Sequence, residues 1–224
     1  MRHVIRSALG IAAFAIPAQA QIPPGLESLK DPRITTLLAE PMVVVEATGD
    51  PTTVGAQAFR LLFQLYYSSP VTPKGPQQPA PRARWPLDFA QPRSEWLGIC
   101  ALPVPAEMDA LPDHTAPPGF EAKLTVWEYG EVAEILHVGP YTQEEPTLAR
   151  LREFVESQGY VLDGPHEEEY IRGPTMAGPG DPEQYLTILR YGVMGSPPEI
   201  FAGGFTGDVL TLAHAGPPMH VRLT

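Results

Sequence analysis

The sequence predicts an α+β fold made of two strand-helix-strand-strand units, each with an antiparallel sheet and one main helix. Three observations lead to this prediction. With 224 residues, 43% of them hydrophobic, the chain can bury a proper core. Two segments with apolar residues at helical spacing are each flanked by short runs rich in β-branched residues. The same order of elements recurs about ninety residues later, which favours an internal duplication.

The first unit follows a Pro-rich leader at residues 21–33. Two strands, 34–40 and 42–49, are predicted to form a hairpin, and a helix follows over 52–67. A proline-rich loop over 70–86 then leads to a buried strand over 95–104. The turn of the hairpin falls at Glu40-Pro41, because proline interrupts strand pairing. Thr52 or Thr53 is expected to cap the helix, since threonine hydroxyls accept hydrogen bonds from the free amides of a first helical turn.

The second unit repeats this order. Two strands, 124–130 and 132–139, are predicted to form a hairpin, and the helix that follows runs to about residue 157. A strand over 166–172, a glycine- and proline-rich loop over 173–182 and a last strand over 184–193 complete the unit. The hairpin turn is expected at Gly130-Glu131. Thr142 and Glu145 have the spacing of a capping box at the start of the helix, and Gly159 is a natural stop after its end.

Residues 1–20 have the features of a secretory signal peptide. Two arginines precede a short apolar run, and a small-residue Ala-Gln-Ala site ends the segment. No other stretch approaches the roughly 20 apolar residues of a membrane helix. We therefore expect cleavage before Gln21 and a periplasmic or secreted protein without a membrane anchor.

Charge and motifs limit the function. Cleavage removes two arginines and no acidic residue, so the net charge changes from −11 to −13. Such a surface repels nucleic acid and tolerates cationic ligands, although solubility alone also explains it. The single cysteine, Cys100, lies in an apolar run and is expected to be a small buried hydrophobe. The sequence has no G-x-S-x-G, H-E-x-x-H, CxxC or phosphate-binding glycine loop, which favours a binding protein over an enzyme.

The last segment, residues 196–224, extends beyond the predicted domain. Two apolar stretches in it are compatible with an added hairpin. His214, Met219 and His220 are soft ligands, but they lack a metal-ligand spacing. No metal site is predicted there or elsewhere in the chain.

Glu168 and Tyr170 are the strongest candidates for ligand binding. Two residues apart on a strand, they project from the same face, opposite to Glu167 and Glu169. A carboxylate among aromatic rings attracts cationic or amphipathic aromatic compounds, and a tyrosine hydroxyl orients polar groups. The competing interpretation is a solvent-exposed acidic strand, because three glutamates are consecutive. Four further aromatic side chains are candidates for either the site or the core: Trp85, Trp96, Trp127 and Tyr185.

His137 precedes a sharp Gly-Pro-Tyr corner between a strand and the second helix. Gly139 allows the tight turn, and Pro140 has no backbone donor to leave unpaired. The corner by itself accounts for Gly139, Pro140 and Tyr141. A lone histidine on a strand is more often a structural residue than a catalyst.

Residues 130–172, GEVAEILHVGPYTQEEPTLARLREFVESQGYVLDGPHEEEYIR, resemble the second half of the GyrI-like, effector-binding domain family, the ligand-binding domain of AraC-type regulators. The matching features are the His-x-Gly-Pro-Tyr corner, the Gly-Tyr and Gly-Pro that follow the helix, and Glu168 with Tyr170. The ATG of 47–49 and the LPVP of 102–105 resemble the first half. The sequence lacks the helix-turn-helix segment of the regulators.

This resemblance implies a domain over residues 34–195 with a ligand cleft between its two halves. It further implies that hydrophobic or cationic aromatic compounds bind there without a cofactor, against five residues: Trp85, His137, Tyr141, Glu168 and Tyr170. Two alternatives stay open. Some relatives hydrolyse electrophilic compounds, which would use Glu168 as a base and Tyr170 to orient the substrate. The SOUL haem-binding proteins have a similar architecture, and His137 would then be the iron ligand.

Overall fold

The computed structural model describes residues 20–85, 92–175 and 178–196. The predicted signal peptide and C-terminal extension lie outside these residues, apart from their innermost positions. The described part contains nine strands and two α-helices. In chain order they are β1 (Arg33–Leu37), β2 (Glu40–Thr48), α1 (Pro51–Ser68), β3 (Arg82–Trp85), β4 (Leu97–Pro103), β5 (Phe120–Trp127), β6 (Gly130–Val138), α2 (Glu145–Ser157), β7 (Tyr160–Leu162), β8 (His166–Arg172) and β9 (Leu186–Gly195).

The strands form one large antiparallel sheet, which confirms the α+β prediction. Their order is β1-β6-β9-β8-β3-β4-β2-β5, and β7 pairs with the last residues of β9. The two antiparallel sheet halves predicted from the sequence are joined into this one sheet. Strand β3 of the first half pairs with β8 of the second, so backbone hydrogen bonds continue across the centre.

Both predicted hairpins are wrong. Strand β1 pairs with β6 instead of β2, and β5 pairs with β2 instead of β6. The reason is burial on both faces. The run from Met42 to Val45 is fully buried, so β2 takes a central place between β4 and β5, as β6 does between β1 and β9.

The sheet is strongly curled. Only two residues connect β1 to β2, and two connect β5 to β6. Such a connection spans at most about 11 Å, whereas six strand spacings in a flat sheet amount to about 29 Å. The two ends of the sheet must therefore approach each other. Tyr129, in the second connection, bonds to the side chains of Arg82 and Glu167, so the connections cross over the face that carries these two residues.

We call that concave side the inner face and the other side the helix face. The register places one residue of each central strand in a row on the helix face, namely Cys100, Ala83, Glu168, Leu189 and Ile135. Helix α1 packs on β2 and β4, and α2 packs on β6 and β9, around apolar side chains on this same side.

The inner face carries an ion-pair ladder across five neighbouring strands. Its members alternate in sign along the register, in the order Arg33, Glu134, Arg190, Glu167 and Arg84. Each neighbouring pair is joined by a side-chain hydrogen bond of 2.6–2.9 Å. Opposite charges directly across a sheet stabilise the pairing of the strands.

The helix starts differ from prediction. Asp50, and neither Thr52 nor Thr53, caps α1 by accepting a hydrogen bond of 2.9 Å from the amide of Thr52. The capping box predicted before α2 is absent, because the residues from Tyr141 form a 3₁₀ turn that leads to Glu144 at the helix start.

Two segments predicted to be irregular contain structure. The leader includes a 3₁₀ turn, Pro24–Lys30, whose Leu29 is buried against apolar residues of the inner face. The proline-rich loop contains β3, a strand of only four residues. Among the described residues, neither α-helix has the length and hydropathy needed to cross a bilayer.

Candidate functional site

The centre of the helix face lies between the two helices, and we call this region the trough. Helices α1 and α2 pack over strands on either side of the sheet centre, which leaves β3 and β8 between them. Because successive residues of a strand alternate in direction, His166, Glu168 and Tyr170 of β8 lie on this face, and Glu167 and Glu169 lie on the inner face. Of the three consecutive glutamates of β8, only Glu168 therefore lies on this face.

Glu168 is a largely buried acid held by its neighbours. Its side chain is 12% exposed. One carboxylate oxygen accepts a hydrogen bond of 2.6 Å from the Tyr170 hydroxyl, and the other lies 3.3 Å from Nε2 of His166. These contacts fix the position of the negative charge.

A row of six aromatic rings, which we call the aromatic ribbon, runs along the trough. From one end to the other it consists of Tyr185, Tyr141, Tyr170, Phe59, Phe63 and Tyr67. Neighbouring ring centroids are 5.1–6.5 Å apart, within the range of favourable aromatic contacts. The tyrosine of the corner, Tyr141, and the strand residue Tyr170 thus meet in space.

Sequence reasoning missed the contribution of α1 to this ribbon. Phe59, Phe63 and Tyr67 are spaced by four residues, which puts them on one side of a helix. Phe59 and Phe63 are half-buried and Tyr67 is exposed, whereas the core side of α1 is fully buried. The periodicity was a usable signal, because this second apolar stripe lies beside the fully buried one, and Phe59 and Phe63 also pack against the core.

Burial and the charge of Glu168 keep the tyrosine hydroxyls of the trough protonated. Burial is the larger cause that raises the pKa of Tyr141, and the nearby Glu168 charge adds to it. The same two causes, in the same order, raise the pKa of Tyr170. Both hydroxyls are therefore hydrogen-bond donors at neutral pH.

His137 is a structural residue of the corner. It is buried, its Nε2 donates to the carbonyl of Pro140 at 3.2 Å, and its Nδ1 accepts from the Thr147 hydroxyl at 3.0 Å. Burial lowers the pKa of His137, so the ring is neutral. The Nδ1 contact thus ties β6 to α2, and the Nε2 contact holds the corner between them.

Two of the tryptophan candidates, Trp85 and Trp127, pack elsewhere on the sheet. Trp85 is buried on the helix face opposite His166, and its ring covers Gly98 so closely that a Cβ there would lie 2.6 Å from it. Trp127 lies on the inner face, with the guanidinium of Arg84 3.7 Å from its ring centroid. Trp85 therefore packs within the floor of the trough, and Trp127 packs on the other side of the sheet.

Two further titratable residues meet Glu168, and neither was among the predicted site residues. Glu144, at the start of α2, and His166 each place a ligand-type atom within 4.8 Å of the other and of a Glu168 oxygen. Burial, and then the Glu168 charge, raise the pKa of Glu144 well above its usual range. His166 lies two residues before Glu168 on β8, so strand alternation places both on the same face. No local spacing connects Glu144 to them, because the helix start and β8 approach each other only in the folded chain.

Comparisons with known proteins identify the fold. No known family profile matches the chain, and no curated protein matches its sequence. Two solved structures from Listeria innocua are similar to it. One is described as a hydrolase, with 22% identity, TM-score 0.58 and coverage of 74% of this chain and 92% of that one. The other is an uncharacterized conserved protein, with 24% identity, TM-score 0.59 and coverage of 74% and 93%.

The C-terminal domain of EcmrR is also similar in structure. It shares 13% identity with this chain at a TM-score of 0.52, over 74% of this chain and 98% of that domain. At these identities the likeness concerns the fold. The resemblance to GyrI-like effector-binding domains is confirmed at that level.

Proposed function

We propose that this protein binds hydrophobic or cationic aromatic small molecules in the trough between α1 and α2. The observation that carries the proposal is the largely buried carboxylate of Glu168, which is hydrogen-bonded to Tyr170 of the aromatic ribbon. A flat cation gains from both parts of this arrangement, since its charge is attracted to the acid and to the electron-rich faces of the rings. The similarity to effector-binding domains supports the same class of function.

A dye-binding experiment tests this proposal. Cationic aromatic dyes and drugs, with neutral analogues, are screened by thermal shift on the mature protein, because a ligand that binds only the folded state raises its melting temperature. The best hit is then titrated calorimetrically against Glu168→Gln. A desolvated charge partner contributes about 2–5 kcal/mol and an exposed one less. Since Glu168 retains some exposure, we expect a loss near 2 kcal/mol, about thirtyfold in affinity.

The control variant must remove a carboxylate without touching the trough. Glu167 and Glu169 are unsuitable, because they are bound to arginines on the inner face. The exposed Glu153 of α2 is suitable, and Glu153→Gln should leave affinity unchanged. Equal losses in Glu168→Gln and Glu153→Gln, or equal losses for a cationic hit and its neutral analogue, would contradict the proposal.

Hydrolysis of electrophilic compounds is the second candidate function. It is favoured by an acid that lies beside tyrosine hydroxyls, and one structural relative is described as a hydrolase. Tyr170 already donates to Glu168, so it would hold the base in place, and Tyr141, whose ring is 5.5 Å from that of Tyr170, would face the substrate. Mass spectrometry of screened electrophiles after incubation distinguishes the functions, because turnover yields products that Glu168→Gln abolishes.

We further propose that the chain is exported and that its fold arose by duplication. Cleavage before Gln21 would leave a packed N-terminus, since the Gln21 carbonyl accepts a hydrogen bond of 3.1 Å from Arg172. Mass spectrometry of the protein from its native cells should therefore find Gln21 as the first residue. In support of duplication, the strand order outwards from the centre is β8-β9-β6-β1 on one side and β3-β4-β2-β5 on the other.

A further inference from the structure

Three side chains with metal-binding atoms converge below the aromatic ribbon. They are Glu144 from the start of α2, and His166 and Glu168 from β8, with one donor atom of each within 4.8 Å of the other two. The imidazole nitrogen Nε2 of His166 is 3.3 Å from the nearer oxygen of Glu168. All three are wholly or largely buried, so they are held by the fold and do not move freely in solvent.

Glu144 is the member of this cluster that has a buried oxygen without a hydrogen bond. Its side chain is 8% exposed, and its Oε1 has no hydrogen-bond partner among the residues that the structure describes. An unpaired buried carboxyl oxygen is destabilising. A second carboxylate, Glu168, lies on the same side, which adds repulsion when both groups are charged. A bound cation removes both penalties at once.

We propose that Glu144, His166 and Glu168 form a binding site for a divalent transition metal, with Zn²⁺ as the best fit. One imidazole and two carboxylates are ligands that Zn²⁺ accepts readily. Bond lengths of about 2.0–2.2 Å place neighbouring ligand atoms of a tetrahedral site about 3.4 Å apart. The pair formed by His166 and Glu168 already has this separation, and the Glu144 carboxyl lies within 4.8 Å of both.

The surroundings of the three ligands fit this assignment. The Tyr170 hydroxyl donates to the second oxygen of Glu168, which orients the carboxylate as outer-shell partners do in metal sites. The His166 ring lies against the ring of Tyr191, at 5.1 Å between centroids. Three protein ligands leave a fourth position for water or for a donor atom of a ligand in the trough.

The test is a metal titration of the mature protein after treatment with EDTA. Zn²⁺ binding is measured by calorimetry, and Co²⁺ is used as a spectroscopic probe because its visible absorption reports the coordination geometry. The variants are Glu144→Gln and His166→Gln. Their matched controls replace exposed residues of the same types, in Glu145→Gln and His114→Gln. We expect one equivalent of Zn²⁺, with affinity reduced at least about tenfold in both variants and unchanged in both controls.

A further variant, His214→Gln with His220→Gln, controls for the C-terminal histidines. Metal binding that is lost in this variant but kept in Glu144→Gln would overturn the proposal. So would the absence of a saturable one-equivalent site in the unmodified protein. If His166→Gln fails to fold, Glu144→Gln decides alone, since glutamine preserves the size of the side chain.

The metal proposal and the proposed function share Glu168, and the experiment separates them. Glu144→Gln and His166→Gln both keep the Glu168 carboxylate. Dye binding that persists together with a failed Zn²⁺ titration therefore rejects the metal site and leaves the small-molecule site in place. Zn²⁺ binding without any dye binding rejects the small-molecule site and leaves the metal site in place.

Discussion

Replacing Arg190 by methionine should destabilise the protein by about 3–5 kcal/mol, the cost of removing one partner from a buried ion pair. Arg190 is 4% exposed and stands at the centre of the ion-pair ladder. It donates four hydrogen bonds to three carboxylates, those of Glu134, Glu167 and Glu169. Methionine fills a similar length but leaves these acids with less positive charge.

The neighbouring arginines limit the loss. Each of the three acids keeps a second cation, at 2.6 Å from Glu134, 2.9 Å from Glu167 and 3.4 Å from Glu169. The lower half of the range is therefore expected, about 3–4 kcal/mol. Against a typical total of about 5–15 kcal/mol, this is a large fraction. With a urea dependence of about 2 kcal/mol per molar, the midpoint should fall by about 1.5–2 M.

Urea unfolding followed by circular dichroism measures this loss. The matched control is Arg150→Met, because Arg150 is half-exposed and pairs with the exposed Asp31. A surface pair of this kind contributes less than about 1 kcal/mol. If Arg190→Met costs no more than Arg150→Met, the buried charges of the ladder do not stabilise the sheet.

Three further predictions concern the site and its corner. Gly173→Ala should weaken dye binding, because the added Cβ would lie 2.5 Å from the Tyr141 hydroxyl and displace it. Gly195→Ala should not, because nothing lies within 4 Å of a Cβ at that position. Equal dye affinities of the two variants in calorimetric titrations would disprove the effect. The pKa of His137 is lowered by burial, so the unfolded chain takes up a proton more readily. Stability should fall as pH drops below about 6.5, by at most about 1.4 kcal/mol per pH unit from this group, and a urea series with His137→Gln should lose that slope. Added haem should give no Soret shift that His137→Ala removes, since both ring nitrogens are occupied; such a shift would support the haem alternative.

Local patterns in the sequence determined most of the longer elements of this protein and the faces of β8. The strand predicted over 166–172 has the bounds of β8, and the predicted end of the second helix near 157 is the end of α2. Alternation along β8 put Glu168 and Tyr170 on one side without any knowledge of the fold. Such predictions succeed because side-chain direction depends on neighbours one to four residues away.

The partners of the strands were decided only by the tertiary structure. β2 and β6 are buried on both faces, and nothing in their own sequences says which distant strands cover their edges. The four residues of β3 are too few and too close to prolines to show a strand pattern, yet they join the two halves of the sheet.

The set of residues that meet in the candidate site was also decided only by the tertiary structure. Phe59 of α1 contacts Tyr170 of β8, and Glu144 at the start of α2 approaches His166 and Glu168. These residues are separated by 22 to 111 positions along the chain. Periodicity carries no information over such separations, because curling of the sheet and packing of the helices, and no local preference, set the distances between them.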